Sequence, residues 1–394
     1  MLLEKDSGNK NIKSMILTVG SEYDYVNSFV IPNVLNMDGS FIVNDRTGIV
    51  YEKTSDKLQN NGYKVYRLSK NCIYDPIQNM QKDSGEPDSE KIKLFSELLK
   101  TYVYGQYNIV PGGFYDSAFL SYIHIIIFYI FETNKENERT FREFISLATD
   151  GSDYLYASMK KRDRDLDDET ESLRNFRTFI LSTEKTQEDV IDKVRQFFEE
   201  IEEKYKYNEK QDQKKIFIKD VLREKTAVFI TEDGSYESSF LQQMMYLDVA
   251  YNARESIMNK EHLIPVMIFS GTLKEEDGWR MGVEKYRLSE LTDKRYVKDI
   301  QTVLTEVPNF RTGKEYKTFI TKHSVLPKAD CYETVIIFEQ FYSNMLSLYG
   351  EKHIPVKTPK DLRIKENSEM VLIKYKPPMI CEKYTEQDAG ENNG

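Results

Sequence analysis

The amino-acid sequence predicts an α/β protein in which a mainly parallel sheet, with helices on both faces, is interrupted by an all-α insertion. Three observations predict it. Short apolar runs alternate with amphipathic helical stretches at the start of the chain, the pattern of successive β-α units. From about Asp88 to Glu209 the pattern changes to long helical runs with no proline after Pro111. Strand-like runs then return, beginning with Lys225 to Ile230.

In chain order, Met15 to Val19 reads as a strand ending at Gly20-Ser21, and Phe29 to Leu35 carries the apolar face of a helix despite Pro32. Ser40 to Val43 is a second strand, closing on Asn44-Asp45. The spacing predicts a helix over Val50 to Leu58, Gly62 stops it, and Lys64 to Leu68 forms a third strand. A β-α-β-α-β series implies parallel strands joined by right-handed crossovers. Its expected ligand site is the loop after the first strand, from Gly20 onward. In the insertion, Phe114 to Glu132 is the most apolar helix, and Thr186 to Tyr207 is a charged amphipathic helix with Val190, Val194, Phe197 and Phe198 on its buried side. After Lys225 to Ile230 a helix begins at Tyr236, with Phe240, Met244, Leu247 and Tyr251 at near-helical spacing. Further strands are expected at Ile264 to Phe269, Thr334 to Phe338 and Met370 to Tyr375. The expected divisions are therefore 14–85 and 211–385 for the two halves of the α/β core, 86–210 for the helical insertion and 386–394 for a disordered tail.

Bulk properties narrow the function classes. The 394 residues suit two domains, and 40% hydrophobic against 30% charged residues excludes a disordered chain. A net charge of -10 opposes a surface that wraps duplex DNA, so any nucleic-acid contact must be local. The candidate for one is Lys160, Lys161, Arg162 and Arg164, although Asp163 and the acidic run after it also fit a solvated helix face. Three scattered cysteines and four scattered histidines lack metal-ligand spacing. Met1 to Lys13 has no apolar core of a secretory signal, and the stretch Phe119 to Phe131 is too short to cross a bilayer. The expected location is the cytoplasm.

Several motifs occur in an order that carries a resemblance. Ser28 to Asp45, with its Pro32-Asn33 pair, leads from a loop through a helix into a strand. Asp45-Arg46-Thr47-Gly48 and Gly62-Tyr63-Lys64-Val65 follow, then Tyr74-Asp75-Pro76-Ile77, Phe114-Tyr115-Asp116-Ser117-Ala118 and Glu138-Arg139-Thr140-Phe141. Lys225 to Ile230, Cys331 to Phe338, Leu348-Tyr349-Gly350 and the closing Lys376-Pro377-Pro378 with Lys383-Tyr384 complete the series. Over roughly residues 15–385 this resembles the TraG-like coupling ATPases of conjugative type IV secretion, without the N-terminal membrane helices that family members usually carry. The resemblance implies a RecA-like, P-loop NTPase-type fold. It also implies partners in a conjugation or type IV secretion apparatus, DNA as a further contact, assembly with like or related coupling-type subunits, and recruitment to the inner face of the membrane.

The residues that such an ATPase needs are missing. A P-loop requires G-x-x-x-x-G-K-[ST], in which glycine amides surround the phosphates, a lysine reaches them and a hydroxyl holds magnesium. The matching stretch is Gly20-Ser21-Glu22-Tyr23-Asp24-Tyr25-Val26-Asn27-Ser28. It has no lysine, tyrosines replace the inner glycines, and two acids sit where polyphosphate would lie. An acidic pair is needed at the end of a core strand, yet Leu263 to Phe269 is followed by Ser270-Gly271. Glu275, Glu276 and Asp277 lie a little further on. The remnant of the nucleotide site is thus Gly20, Ser21, Asn27, Ser28 and Asp45, with no catalytic residue and no metal ligand assigned. Asp45 reads equally as a turn or cap residue. The expectation is a coupling-type subunit without a cofactor that acts by binding. The alternatives are an ATPase with an atypical site using ATP and magnesium, and a nucleic-acid-binding module.

Overall fold

The computed structural model describes residues 16–19, 23, 25–37, 39–68, 72–164, 169–205, 214–231, 239–259, 264, 266–269, 334–337, 368–373 and 379–382. Strand β1 (Ile16–Val19) is followed by a π-helical segment, Tyr25–Val30, that runs directly into α1 (Ile31–Leu35). Then come β2 (Ser40–Asn44), α2 (Ile49–Asn60), β3 (Lys64–Leu68), β4 (Cys72–Tyr74) and the short α3 (Pro76–Asn79). Six helices follow: α4 (Ser89–Tyr107), α5 (Gly113–Thr133), α6 (Phe141–Ala148), α7 (Ser152–Arg162), α8 (Glu171–Phe179) and α9 (Glu184–Tyr205). The rest comprises β5 (Lys214–Ile216), α10 (Ile218–Arg223), β6 (Thr226–Ile230), α11 (Ser239–Met258), β7 (Val266–Phe269), β8 (Thr334–Ile337), β9 (Ser368–Ile373) and β10 (Met379–Glu382).

The chain forms two compact units. One comprises Met1–Leu68, Lys219–Glu232 and Val249–Gly394; the other comprises Ser69–Ile218 and Asp233–Asp248. In the first, an all-parallel sheet has the order β3-β6-β2-β7. Ile42 lies level with Val228 on one side and Ile268 on the other. β2, β6 and β7 are buried along almost their whole length because both faces are covered, as parallel sheets require. On one face Phe41, Val43, Ala227, Phe229, Met267 and Phe269 meet Tyr25, Phe29, Val34 and Leu58 in a single core. A second sheet pairs β1 with β8 in parallel, then β9 and β10 antiparallel.

β2 and β3 are parallel, each paired with β6, whereas β1 stands in the other sheet and not beside β2 as a simple β-α-β series would place it; the neighbours come from far along the chain. β6 lies between β2 and β3, and β1 pairs with β8, more than 300 residues later. Pro32 is accommodated because it sits in the first turn of α1, where its missing N–H removes no needed bond, and because the turn before it has widened to π geometry.

The second unit is built on helices closed at one end by the parallel β4–β5 pair. α5 is its central helix, with Ile123, Ile126, Ile127 and Ile130 fully buried. It runs antiparallel to α8: the Tyr122 and Phe179 rings are 5.6 Å apart, and the Ser172 amide donates to Glu132 at 3.0 Å. Val190, Val194, Phe197 and Phe198 of α9 are buried, as the helical spacing predicts. Phe95, Phe141, Phe144, Phe198 and Phe240 form an aromatic centre with edge-to-face contacts of 5.3 to 6.2 Å. The apolar stretch expected to be too short for a bilayer belongs to a 21-residue helix. Among the described residues α5 alone is long and apolar enough to cross a membrane, by length and composition, and 61% of its most apolar window is buried inside the structure.

Two of the sequence motifs meet in this unit. The Asp75 carboxylate caps α3 through the Gln78 amide (3.1 Å) and also accepts the Phe141 amide at the start of α6 (3.0 Å). Arg139 donates to the Asn134, Gly85 and Phe131 carbonyls. Tyr74–Ile77 and Glu138–Phe141 are therefore structural motifs that join helix ends.

Candidate functional site at the carboxyl edge of the sheet

Parallel α/β sheets place ligands beyond the carboxyl ends of their strands. At that edge of the first unit, β2 ends at Asn44 and Asp45 follows, with its amide donating to the Ile230 carbonyl at the end of β6 (2.8 Å). Asp45 is buried and its carboxylate points at α2. The Val50 amide donates to Oδ1 at 3.1 Å and the Tyr51 amide to Oδ2 at 2.7 Å. Both oxygens thus satisfy N–H groups that the first turn of a helix leaves open. Burial raises the Asp45 pKa above the ordinary carboxylate value, while the two amide bonds and Arg67 oppose the rise. The tight turn into α2 needs Gly48, whose φ is +77°.

Three residues missed by sequence reasoning complete the edge. Arg67, the penultimate residue of β3, donates from Nε to the Thr231 hydroxyl at 3.2 Å, and its guanidinium carbon lies 5.1 Å from the centre of the Tyr51 ring. Thr231, just after β6, donates in turn to the Leu68 carbonyl at 3.4 Å. The Tyr51 ring packs edge-on against Phe229 at 5.4 Å. Nothing in the local pattern marks these residues, because they come from three separated segments and only the sheet order brings them together.

The loop remnant divides. Gly20 and Ser21 lie outside the described residues, as do Ser270, Gly271 and the acids Glu275, Glu276 and Asp277. Asn27 and Ser28 are half-buried in the π-helical segment; Asn27 donates to the Tyr23 carbonyl at 2.9 Å and accepts from Lys53 Nζ at 3.2 Å. The two tyrosines that replace family glycines part company. Tyr23 is 75% exposed, whereas Tyr25 is 3% exposed, with its ring 6.3 Å from that of Phe29 in the core. Backbone at Tyr25 is therefore held by a side chain that fills the interior, where a phosphate loop would keep its amides open.

The basic stretch lies in the second unit, at the last turn of α7. Lys160, Lys161 and Arg164 are exposed, with the Lys160 ammonium 4.6 Å from the Tyr156 ring centre. Arg162 instead serves the fold, donating to Glu132 and to the Ser172 hydroxyl, each at 3.1 Å. Its neighbour Asp163 accepts from Arg177 at 2.8 Å. Of the four cations, Arg162 is thus half-buried and engaged by the fold, and the other three are exposed. Cys72 is buried, and desolvation pushes its thiol up to about 11 against the opposing charge of Lys214.

The edge can hold and orient groups, but among its described residues it has no carboxylate with an open oxygen beyond exposed Glu52 of α2. Residues 25–269 match the family described as Type IV secretory system Conjugative DNA transfer. The chain belongs to that family. No curated protein sequence matches it. Among solved structures it is similar to the plasmid coupling protein TrwB in complex with ADP and Mg2+, at 10% identity and a TM-score of 0.56, over 97% of this chain and 89% of that one. The unbound monoclinic form of the bacterial conjugative coupling protein TrwBdeltaN70 is similar at 10% identity and a TM-score of 0.53, over 98% and 92% of the two chains. At that identity the likeness shows the fold alone: this family member has the α/β, RecA-like architecture of the coupling proteins.

Proposed function

We propose that this member of the conjugative DNA-transfer family is a coupling-protein-like subunit that works by binding protein or DNA in the secretion apparatus and does not hydrolyse ATP. The observation that carries the reading is the placement of Asp45. Its two oxygens are occupied by the amides that open α2, so the one acid left at a family motif position is taken up by the fold. Tyr25, buried in the core, supports the same reading, because its side chain occupies the interior behind the loop that would have to open around phosphates. The absent P-loop lysine, and Ser270-Gly271 where the family motif expects acids after Leu263 to Phe269, weaken the charge stabilisation that phosphoryl transfer depends on. In this reading the subunit needs no cofactor, acts in the cytoplasm and reaches the inner face of the membrane through its partners.

Calorimetry with ATP and magnesium, paired with phosphate release from the full chain, tests the proposal. No heat of binding at micromolar ATP and no turnover are expected. Micromolar affinity or measurable turnover would overturn the non-hydrolysing reading and leave an ATPase with an unorthodox site.

A further inference from the structure

Four of the eight large apolar side chains that stand exposed among the described residues lie at one end of the helical unit, where α4 ends, α5 begins and α8 turns into α9. Val110 and Phe114, on either side of Pro111-Gly112-Gly113, are 85% and 86% exposed; Leu181 is 85% exposed and Ile180 precedes it. Contacts beneath them bring the two turns to the same end. The Tyr115 hydroxyl donates to Asp189 of α9 at 2.7 Å, and the Gln187 side chain donates to the Ser182 carbonyl at 2.8 Å. The first turn is fixed from within: Asp116 accepts the Gly112 amide at 3.0 Å and the Tyr104 hydroxyl at 2.9 Å, and Gly113 holds a φ of +60°. A single exposed apolar residue needs no account, whereas several on two turns at one end of a fold mark an interaction surface.

The helix that leaves this end is acidic on its outer face. Glu184, Glu188 and Asp192 follow one another at four-residue spacing, all exposed, and Lys185 is the one exposed cation among the described side chains of α9. Lys193 is turned onto the Tyr107 ring at 4.8 Å, and Arg195 donates to the Ser152 hydroxyl at 2.7 Å. Like charges at that spacing weaken a helix, so the line is a cost to α9 by itself. It also selects what the apolar turns can hold. Acids beside apolar anchors favour a cationic partner and oppose an anionic bilayer, a nucleic-acid strand or a second copy that docks by the same face. We infer that this end of the helical unit, with Val110, Phe114 and Leu181 as anchors, is a docking surface for a polypeptide segment that carries lysine or arginine beside apolar side chains. It rests on the binding role proposed above and gives that role a place and a partner chemistry.

The test titrates the full chain, by fluorescence anisotropy, with a labelled amphipathic peptide of lysine and leucine and with its glutamate-leucine and lysine-serine counterparts. Wild type should bind the first peptide at least about tenfold more tightly than either counterpart. Phe114→Ser combined with Leu181→Ser should weaken that binding about tenfold or more, since two buried anchors are lost. Glu184→Gln with Glu188→Gln should weaken it about threefold and flatten its dependence on salt. Tyr154→Ser, at an exposed aromatic of α7, should change nothing. The replaced side chains are exposed, so every variant should melt with wild type, and Val110→Ser gives an independent reading of the first turn. Failure of wild type to bind the lysine-leucine peptide, equal binding by the Phe114 and Leu181 double variant, or equal affinity for the glutamate-leucine peptide would overturn the inference. So would phosphatidylglycerol vesicle binding, or dimers seen by sedimentation, that need Phe114 and Leu181 while peptide binding does not. ATP turnover would sink the non-hydrolysing reading and leave this surface standing; loss of peptide binding without turnover would do the reverse.

Discussion

Replacing Asp45 separates a structural acid from a catalytic one. In the folded chain its carboxylate is 3% exposed and accepts the Val50 and Tyr51 amides at 3.1 and 2.7 Å. Asp45→Ala leaves both amides without a partner, Val50 in the core and Tyr51 half-buried. A lost helix cap costs about 0.5–2 kcal/mol, and each buried polar group left unsatisfied about 1–3 kcal/mol. Relief of the carboxylate's own burial, which raises its pKa, returns part of that. The net expectation is a loss of roughly 2–3 kcal/mol. Asp45→Asn keeps one acceptor oxygen and should lose only about 1 kcal/mol. Urea denaturation followed by circular dichroism reads both values from the shift of midpoint at constant slope. If Asp45→Ala proves as stable as wild type, the capping argument fails. A catalytic role would instead show Asp45→Asn with full stability and abolished turnover.

Two further outcomes follow from the helical unit. Ile126, fully buried at the centre of α5, should not tolerate Ile126→Asp: an unpaired carboxylate there costs several kcal/mol, and a melting temperature equal to wild type would show that α5 is not the core helix. Burial lifts the Asp75 and Asp248 carboxyls from the ordinary 3.8 to about 6, with Asp248 also facing Lys91, Tyr74 and Asp88. Over that window the folded chain holds protons that the unfolded chain releases. Their contribution to stability is therefore full below pH 3.8 and is lost as pH rises through about 6. Asp248→Asn should flatten this slope, gaining on the order of 2 kcal/mol on wild type between pH 4 and 7; parallel urea-stability curves for the two proteins would refute the assignment.

Local chemistry is written in the sequence where neighbours along the chain decide it. The apolar runs Ser40–Asn44, Lys64–Leu68 and Thr226–Ile230 become strands, and the helical spacing of Val190, Val194, Phe197 and Phe198 becomes a buried face. These patterns need only a period and an interior to face. The motif order likewise pointed to the family over much of the chain, and the loss of the P-loop lysine is plain from the letters alone. Which strand lies beside which is a different matter. β6 enters between β2 and β3 after a gap of more than 150 residues, and periodicity is blind to pairing at that distance. So the fate of Asp45 and Tyr25 was open in the sequence: either residue suits an exposed loop or a buried cap. Only the tertiary structure turned the carboxylate toward two helix amides, sent Tyr25 into the core and brought Arg67, Tyr51 and Thr231 to one edge, because burial and hydrogen-bond satisfaction are settled by groups distant in sequence.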